Sequence, residues 1–155
     1  MSSNFYEAEL RHVLHFAMES NRIRDLGNSS PFFAQLMKAY PSCGSKIDWA
    51  RVPGSVERAE ERADFQIIQF VSFFDQVVQK FRLVGDVVYV GDSATDFALA
   101  GSMECMREAL PELLAIPQHH YLMGPDGSWC MCFTMEGNMG FGFHPKLSTR
   151  PDRAM

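Results

Sequence analysis

The C-terminal stretch 117–144 constrains the fold most strongly, because it reads as two consecutive β-hairpins. Strand-forming residues occupy three runs: 118–123, 129–135 and 139–143. The turn Gly124-Pro125-Asp126-Gly127-Ser128 separates the first two runs, and Glu136-Gly137-Asn138 separates the last two. Gly, Asn and Asp suit such turns because they tolerate positive φ angles. The stretch is therefore predicted to form a three-stranded antiparallel meander.

Alternation of side chains along a strand assigns this meander to two faces. With Asp126-Gly127 as a two-residue loop, Met123 lies opposite Cys130 and Tyr121 opposite Cys132. One face then carries His120, Leu122, Trp129, Met131, Phe133, Gly140 and Gly142. The other carries His119, Tyr121, Met123, Cys130, Cys132, Thr134, Met139, Phe141 and Phe143. Both faces are largely apolar, so we expect helices on one and further helix or a partner protein on the other.

Three helices are predicted in the first half of the chain. The first spans Asn4–Leu26, where Asn4 and Glu7 form a capping box and apolar residues recur at helical spacing. The second begins at Ser30 with Pro31 in its first turn and stops at Pro41. The third, Val56–Leu83, has a charged first half and an apolar second half that should supply the main core helix.

The second half begins with a clear strand, Asp86–Gly91, and Thr95–Leu99 is expected to return as its antiparallel partner. Ser102 then caps a further helix that Pro111 restarts or kinks and Pro117 ends. Helices are thus mainly N-terminal and strands mainly C-terminal. This order predicts an α+β fold, with N-terminal helices packed on a C-terminal antiparallel sheet of about five strands.

Length and composition predict one domain over residues 1–155, mainly helical over 1–83 and sheet plus one helix over 84–144, with a frayed tail at 145–155. Apolar residues make up 46% of the chain, enough for a substantial core. No apolar run approaches the ~20 residues of a membrane span, and the polar N-terminus resembles no signal peptide. We therefore expect a cytoplasmic protein whose four cysteines are reduced.

Negative charge is concentrated in the body of the chain. Residues 56–144 contain five basic and thirteen acidic residues, a net charge of −8, whereas both ends are mildly basic. A nucleic-acid-binding protein would show the opposite sign on its main body. An acidic body favours solubility, and it can also attract a basic partner and speed the encounter.

Two histidines and two cysteines in the meander raise the question of a zinc site or a Cys–His nucleophile. His119 and His120 are predicted on opposite faces, so at most three of the four groups could converge, and Cys130 and Cys132 lack knuckle spacing. Mid-strand cysteines among apolar side chains also lack the cations that activate a thiol. We expect core cysteines and a hydrogen-bonded histidine, with no metal or other cofactor.

Three other patterns have modest chemical content. The run Gly137–Phe143 contains G-N-M-G-F-G, but no helix or Lys follows as a phosphate loop requires, so its glycines should make room for Trp129, Phe133 or a helix. Asp92, Ser93, Thr95 and Asp96 cluster on a strand-to-strand turn, where they suit turn chemistry and capping, a partner contact, a hard cation or acid–base catalysis, although no third acidic ligand lies close in sequence. The last pattern is an acidic stripe at four-residue spacing: Glu104, Glu108 and Glu112. It suits a solvated face or a docking surface for a basic protein, and its like charges need compensation.

The stretch VVYVGDSATDFALAGSMECMREALPELLAIPQHHYLMGPDGSWCMCFTMEGNMGFGF, at about residues 86–143, resembles small bacterial immunity proteins. It is similar in particular to immunity proteins of contact-dependent growth inhibition and related polymorphic-toxin systems. The shared pattern is a strand, an Asp-containing turn, a helix, a Pro-Gln-His-His-Tyr-like strand and a Trp-bearing hairpin ending in Met-Glu-Gly and Gly-Phe-Gly. The resemblance implies a cytosolic protein that binds and neutralises a toxin domain, often a nuclease, and it transfers no catalytic residues.

Charge and resemblance together predict an acidic interface for a basic toxin domain. The candidate contacts are Asp92, Ser93, Asp96, Glu104 and Glu108. An alternative is a small-molecule-binding protein with its pocket between helices and sheet, and a third class is an enzyme that uses the Asp92/Asp96 turn. We expect a non-enzymatic protein with no direct contact to nucleic acid or membrane.

Overall fold

A computed structural model describes residues 5–43 and 46–145, and this part of the chain forms five α-helices and nine strands. The helices are α1 Phe5–Val13, α2 His15–Glu19, α3 Ser30–Ala39, α4 Gln66–Phe81 and α5 Met103–Leu114. The strands are β1 Ile23–Asn28, β2 Ser42–Cys43, β3 Lys46–Ile47, β4 Val56–Ala59, β5 Asp86–Gly91, β6 Phe97–Ser102, β7 His120–Met123, β8 Trp129–Phe133 and β9 Asn138–Phe143. Short 3₁₀ turns cover Trp49–Arg51 and Ala63–Phe65. None of the helices in this part is both long and apolar enough to cross a membrane.

Seven strands form one sheet in the order β1-β6-β5-β7-β8-β9-β4, and every neighbouring pair is antiparallel. The α+β prediction is confirmed, and all five strands predicted from the C-terminal half are present. The predicted number of about five strands is wrong, because β1 and β4 from the first half of the chain extend the sheet at its two edges. The sheet is therefore not confined to the C-terminal half.

Strand β1 falls inside the single helix predicted over Asn4–Leu26. The helical region ends early, since Asn21 adopts a left-handed conformation (φ 63°) and the chain turns into β1 to pair with β6. Of the apolar residues that recur at helical spacing in this region, Leu10 and Leu14 are buried, whereas Tyr6 and Val13 are exposed. Asn4, one half of the predicted capping box, lies outside the described residues.

Strand β4 and the 3₁₀ turn after it replace the first half of the helix predicted over Val56–Leu83. Pairing with β9 continues through the Glu60 N–H, which donates to the Gly137 carbonyl at 2.9 Å. The edge is short and charged, and the Arg58 guanidinium donates to the outward Glu57 carbonyl at 2.8 Å. Such an edge resists pairing with another chain. The predicted core helix survives as α4, which buries Phe70, Phe73, Phe74 and Val77.

The register of β7 with β8 is as predicted, with Met123 opposite Cys130 and Tyr121 opposite Cys132. The face of strand β9 differs from the prediction, because the β8–β9 loop holds three residues between Thr134 and Asn138 and places Met131 opposite Phe141 and Phe133 opposite Met139. Gly137 adopts φ +96° in this loop. A one-residue shift moves every side chain of a strand to the other face. Met139 and Phe141 therefore lie with Trp129, and the prediction that placed Gly140 and Gly142 there is wrong.

Both faces of the sheet are covered. On one face the helices α1, α4 and α5 close a large core, called the helical core here, that includes Tyr89, Trp129, Phe133 and Phe141. On the other face α3 and the segment 47–52 close a second core around Val90, Tyr121, Cys130 and Cys132.

Gly140 and Gly142 face this second core and lie directly beneath Trp49. A Cβ atom added at Gly140 would come within 2.1 Å of Trp49 Nε1, and one at Gly142 within 2.7 Å of Val52. The glycines do make room for an aromatic ring, but the ring is that of Trp49, not Trp129 or Phe133.

Candidate functional site

The candidate contact residues fall into two groups at opposite ends of the β5–β6 hairpin. Asp92, Ser93 and Asp96 lie in the connection after β5, which we call the acidic turn (Asp92–Asp96). The helix α5, which carries Glu104 and Glu108, begins at the other end, where Ser102 pairs with Asp86. Strands rise about 3.4 Å per residue, so roughly 17–20 Å of strand separates the turn from the start of α5. The two groups do not form one continuous cluster.

The backbone of the acidic turn is held by the side chain of Gln118. Three successive N–H groups, those of Ser93, Ala94 and Thr95, donate to Gln118 Oε1 at 3.1, 2.7 and 3.2 Å. Convergent backbone N–H groups of this kind form a concavity for an acceptor oxygen, and here a side-chain amide supplies the oxygen. Gln118 is 1% exposed, so water cannot readily replace it.

Both ends of the acidic turn are fixed as well. Asp92 accepts hydrogen bonds from the His119 N–H at 3.0 Å and from the Ser93 hydroxyl at 3.2 Å. The Asp96 N–H donates to the buried carboxylate of Glu7 at 2.5 Å, which ties the turn to α1. Asp92, Ser93 and Asp96 remain exposed, so the turn presents two acidic side chains on a backbone whose four successive N–H groups, from Ser93 to Asp96, are all hydrogen-bonded.

A buried polar chain continues from Gln118 into the helical core. Gln118 Nε2 donates to the Thr95 hydroxyl at 3.0 Å and to the Tyr89 hydroxyl at 3.1 Å. The Tyr89 oxygen lies 2.7 Å from His120 Nδ1. Sequence reasoning missed Gln118 because a lone glutamine before a strand matches no site pattern. The only available signal was a polar residue directly before a run of buried strand residues.

Burial lowers the pKa of His120 from 6.5 to about 4, so its imidazole is neutral at pH 7. An unfolded chain would bind a proton there between pH 6.5 and 4 while the folded chain would not, and the folded state loses stability as the pH falls through this window. One pKa unit corresponds to 1.36 kcal/mol, so the loss should reach about 3 kcal/mol by pH 4.

Urea unfolding between pH 7 and pH 4.5 measures this loss. A His120→Gln variant should lose less stability over the range than wild type, and His12→Asn, at an exposed position, is the matched control. Equal pH dependence of wild type and His120→Gln would contradict the assignment.

The histidines and cysteines of the meander lie in separate environments. His120 faces the helical core, whereas Cys130 and Cys132 belong to the second core across the sheet. His119 Nδ1 accepts the Met135 N–H at 3.0 Å. Burial raises the pKa of Cys132 to about 12 and raises that of Cys130 as well, so neither thiol ionises near pH 7. Within residues 5–43 and 46–145, no three His, Cys, Asp or Glu side chains come together in a cluster able to hold a metal ion.

The space between helices and sheet near His120 is small. A cavity of about 140 Å³ lies there, lined by His120, Gln118, Thr134, Met135 and residues of α4 and α5. Ligand pockets usually measure about 300–1,000 Å³, so this cavity gives little support to a small-molecule site.

The acidic stripe on α5 is partly compensated. Arg22 Nη2 contacts Glu108 Oε1 at 2.9 Å, across 86 residues of sequence. Arg107 forms a bidentate pair with Asp75 of α4, at 2.8 and 3.0 Å. Within the part of the chain that the structure describes, Glu104 and Glu112 have no ion-pair partner. The compensation that four-residue spacing requires is thus supplied at Glu108 alone.

No protein-family model matches the chain, and no curated protein is significantly similar to it.

Proposed function

We propose that this protein is a cytoplasmic immunity protein that binds a basic toxin domain, a nuclease by preference, and blocks its active site. The observation that carries the proposal is the acidic turn, in which exposed Asp92, Ser93 and Asp96 stand on a backbone fixed by Gln118, His119 and Glu7. The resemblance of residues 86–143 to immunity proteins of polymorphic-toxin systems points the same way.

The physical basis is charge and pre-organisation. A nuclease domain holds the phosphate backbone of its nucleic-acid substrate with basic side chains. The net charge of −8 over residues 56–144 is complementary to such a basic surface. A turn that is already ordered does not lose conformational entropy when it binds, so more of the contact energy appears as affinity. Neutralisation then requires only that the acidic surface occludes the substrate site.

The experiment is co-expression with the toxin domain encoded beside this gene, followed by binding kinetics on the purified pair. Asp92→Asn/Asp96→Asn removes two charges while leaving an acceptor oxygen for the His119 N–H, so the turn should stay folded. Glu104→Lys/Glu108→Lys tests the stripe. Glu57→Lys/Glu61→Lys is the control, because both glutamates are exposed near the β4 edge, several strands away.

We expect the Asn pair to slow association by roughly tenfold or more at low salt, with the difference fading as salt is raised. The control pair should protect and bind almost as wild type does. If both double variants, Asp92→Asn/Asp96→Asn and Glu104→Lys/Glu108→Lys, bind and protect as well as wild type, neither surface is the interface. If wild type itself fails to bind or protect, the immunity function is refuted.

A further inference from the structure

A groove runs between α2 and α5 on the side of the molecule that carries the acidic stripe. Its volume is about 300 Å³, at the lower end of the range for ligand pockets, so it suits one or two side chains of a larger partner. The groove is lined by Val13, Leu14, Phe16, Ala17, Arg22, Ile23, Cys105, Glu108, Ala109 and Glu112. The small side chains Ala17 and Ala109 leave the space open.

The apolar wall of the groove is unusually exposed. Phe16 in α2 is 84% exposed and Val13 at the end of α1 is 42% exposed, although Leu14, which lies between them, is buried in the helical core. Exposed aromatic side chains next to a depression and within a polar rim are typical of protein-docking sites. Phe16 would therefore lose most of its water contact if a partner covered the groove.

The opposite wall is acidic. Glu108 and Glu112 stand on α5, and Arg22, the one cation among the described residues that line the groove, already contacts Glu108 at 2.9 Å. A partner would meet a net negative wall beside an exposed phenyl ring. The ring and the charge together fit a Lys- or Arg-bearing amphipathic segment, whose apolar side chain fills the groove while its cation reaches Glu112. A second copy of this chain fits poorly, because its net charge is −5.

We infer that the α2–α5 groove docks a basic amphipathic segment of the partner, with Phe16 as the apolar anchor and Glu112 as the charged contact. The inference rests on the proposed function for the identity of that partner, a basic toxin domain. It adds a surface distinct from the acidic turn and names the chemistry that this surface recognises.

A defined probe tests the groove without the toxin. The probe is a 14-residue helical peptide with Leu on one face and Lys on the other, and its counterpart has Glu in place of Lys. NMR titration of the full chain should shift amide signals of residues 13–17 and 105–112 with the Lys peptide and not with the Glu peptide. Shifts elsewhere only, or equal binding of both peptides, would overturn the inference.

Matched variants localise the contact. Phe16→Ser should weaken binding of the Lys peptide roughly 30-fold, the effect of truncating an aromatic hot spot. Val84→Ser is the control, because Val84 is also 84% exposed but lies in the loop after α4. Circular dichroism confirms that both variants fold. The inference would also be overturned if Phe16→Ser and Val84→Ser weakened binding of the Lys peptide equally. A concentration-dependent dimer of the chain that Phe16→Ser abolishes would overturn it as well.

The same variants in the toxin co-expression separate the two proposals. If wild type protects while Phe16→Ser and Glu112→Lys protect equally well, the groove is not part of the interface and the immunity function stands. If wild type itself fails to protect, the immunity function fails, and the peptide titration still decides whether the groove binds basic segments.

Discussion

Replacing Gln118 with Leu should lower the free energy of unfolding by roughly 3–5 kcal/mol. The variant keeps the side-chain volume but removes the oxygen that accepts three backbone N–H groups and the amide that donates to Tyr89 and Thr95. Each buried polar group left unpaired costs about 1–3 kcal/mol. Water can reach the exposed Ser93 end of the turn, but Thr95 is buried, so part of the loss cannot be recovered.

Urea unfolding measures this loss, with Gln79→Leu as the control because Gln79 lies exposed on α4 and should change stability by at most about 0.5 kcal/mol. A loss below about 1 kcal/mol for Gln118→Leu would show that the turn does not depend on the clamp. Hydrogen exchange adds a local reading, since the amide protons of residues 93–95 should exchange faster. Under the proposed immunity function, such a variant would retain every acidic side chain and still bind the toxin domain more weakly.

Replacing Gly140 with Ala should cost about 3–5 kcal/mol, an unusually large effect for one added methyl group. The new Cβ would lie 2.1 Å from Trp49 Nε1 and 2.4 Å from Trp49 Cε2, so the ring must leave its place over the sheet. Trp49 is buried, and losing a buried aromatic contact costs several kcal/mol.

A double-mutant cycle isolates the contact. In a Trp49→Leu background, Gly140→Ala should cost at least about 2 kcal/mol less than in wild type, because the smaller side chain can move aside. The same cost in both backgrounds would place the strain elsewhere, for example in the pairing of β9 with β8 and β4.

Much of the architecture follows from local sequence signals. The predicted register of β7 with β8 is correct although the two-residue Asp126-Gly127 loop is not formed. The Gly127 N–H donates to the Gly124 carbonyl at 2.9 Å, so Pro125 and Asp126 are the central residues of the turn, and this longer connection has the same midpoint as the predicted loop. β-branched residues between turn formers predict β5. The Ser102 hydroxyl accepts the Cys105 N–H at 3.1 Å, as expected of a helix cap. Each of these features depends on residues that lie within about ten positions of one another.

The features that sequence reasoning missed depend on distant partners or on the exact count of loop residues. Strands β1 and β4 have charged, weakly patterned sequences, and only pairing with β6 and β9 makes them strands. The face of β9 depends on whether its loop has two or three residues. At the site, the sequence marks the acidic turn through Asp92 and Asp96. The residues that hold the turn are distant in sequence: Gln118 lies 23 positions from Thr95, and Glu7 lies 89 positions from Asp96.

The order of the strands in the sheet also bears on the sequence of folding events. Strands β5 to β9 pair with near neighbours in the chain, whereas β1 must find β6 across about seventy residues and β4 must find β9 across about eighty. Distant pairings close large loops and slow folding. During synthesis β1 can pair as soon as β6 is complete at Ser102, but β4 must wait for β9, so the β4 edge of the sheet cannot close until nearly the whole chain has been made. A nascent chain released before β9 is made would expose the apolar strands of an unfinished sheet, because β8 and β4 would both lack the strand that lies between them.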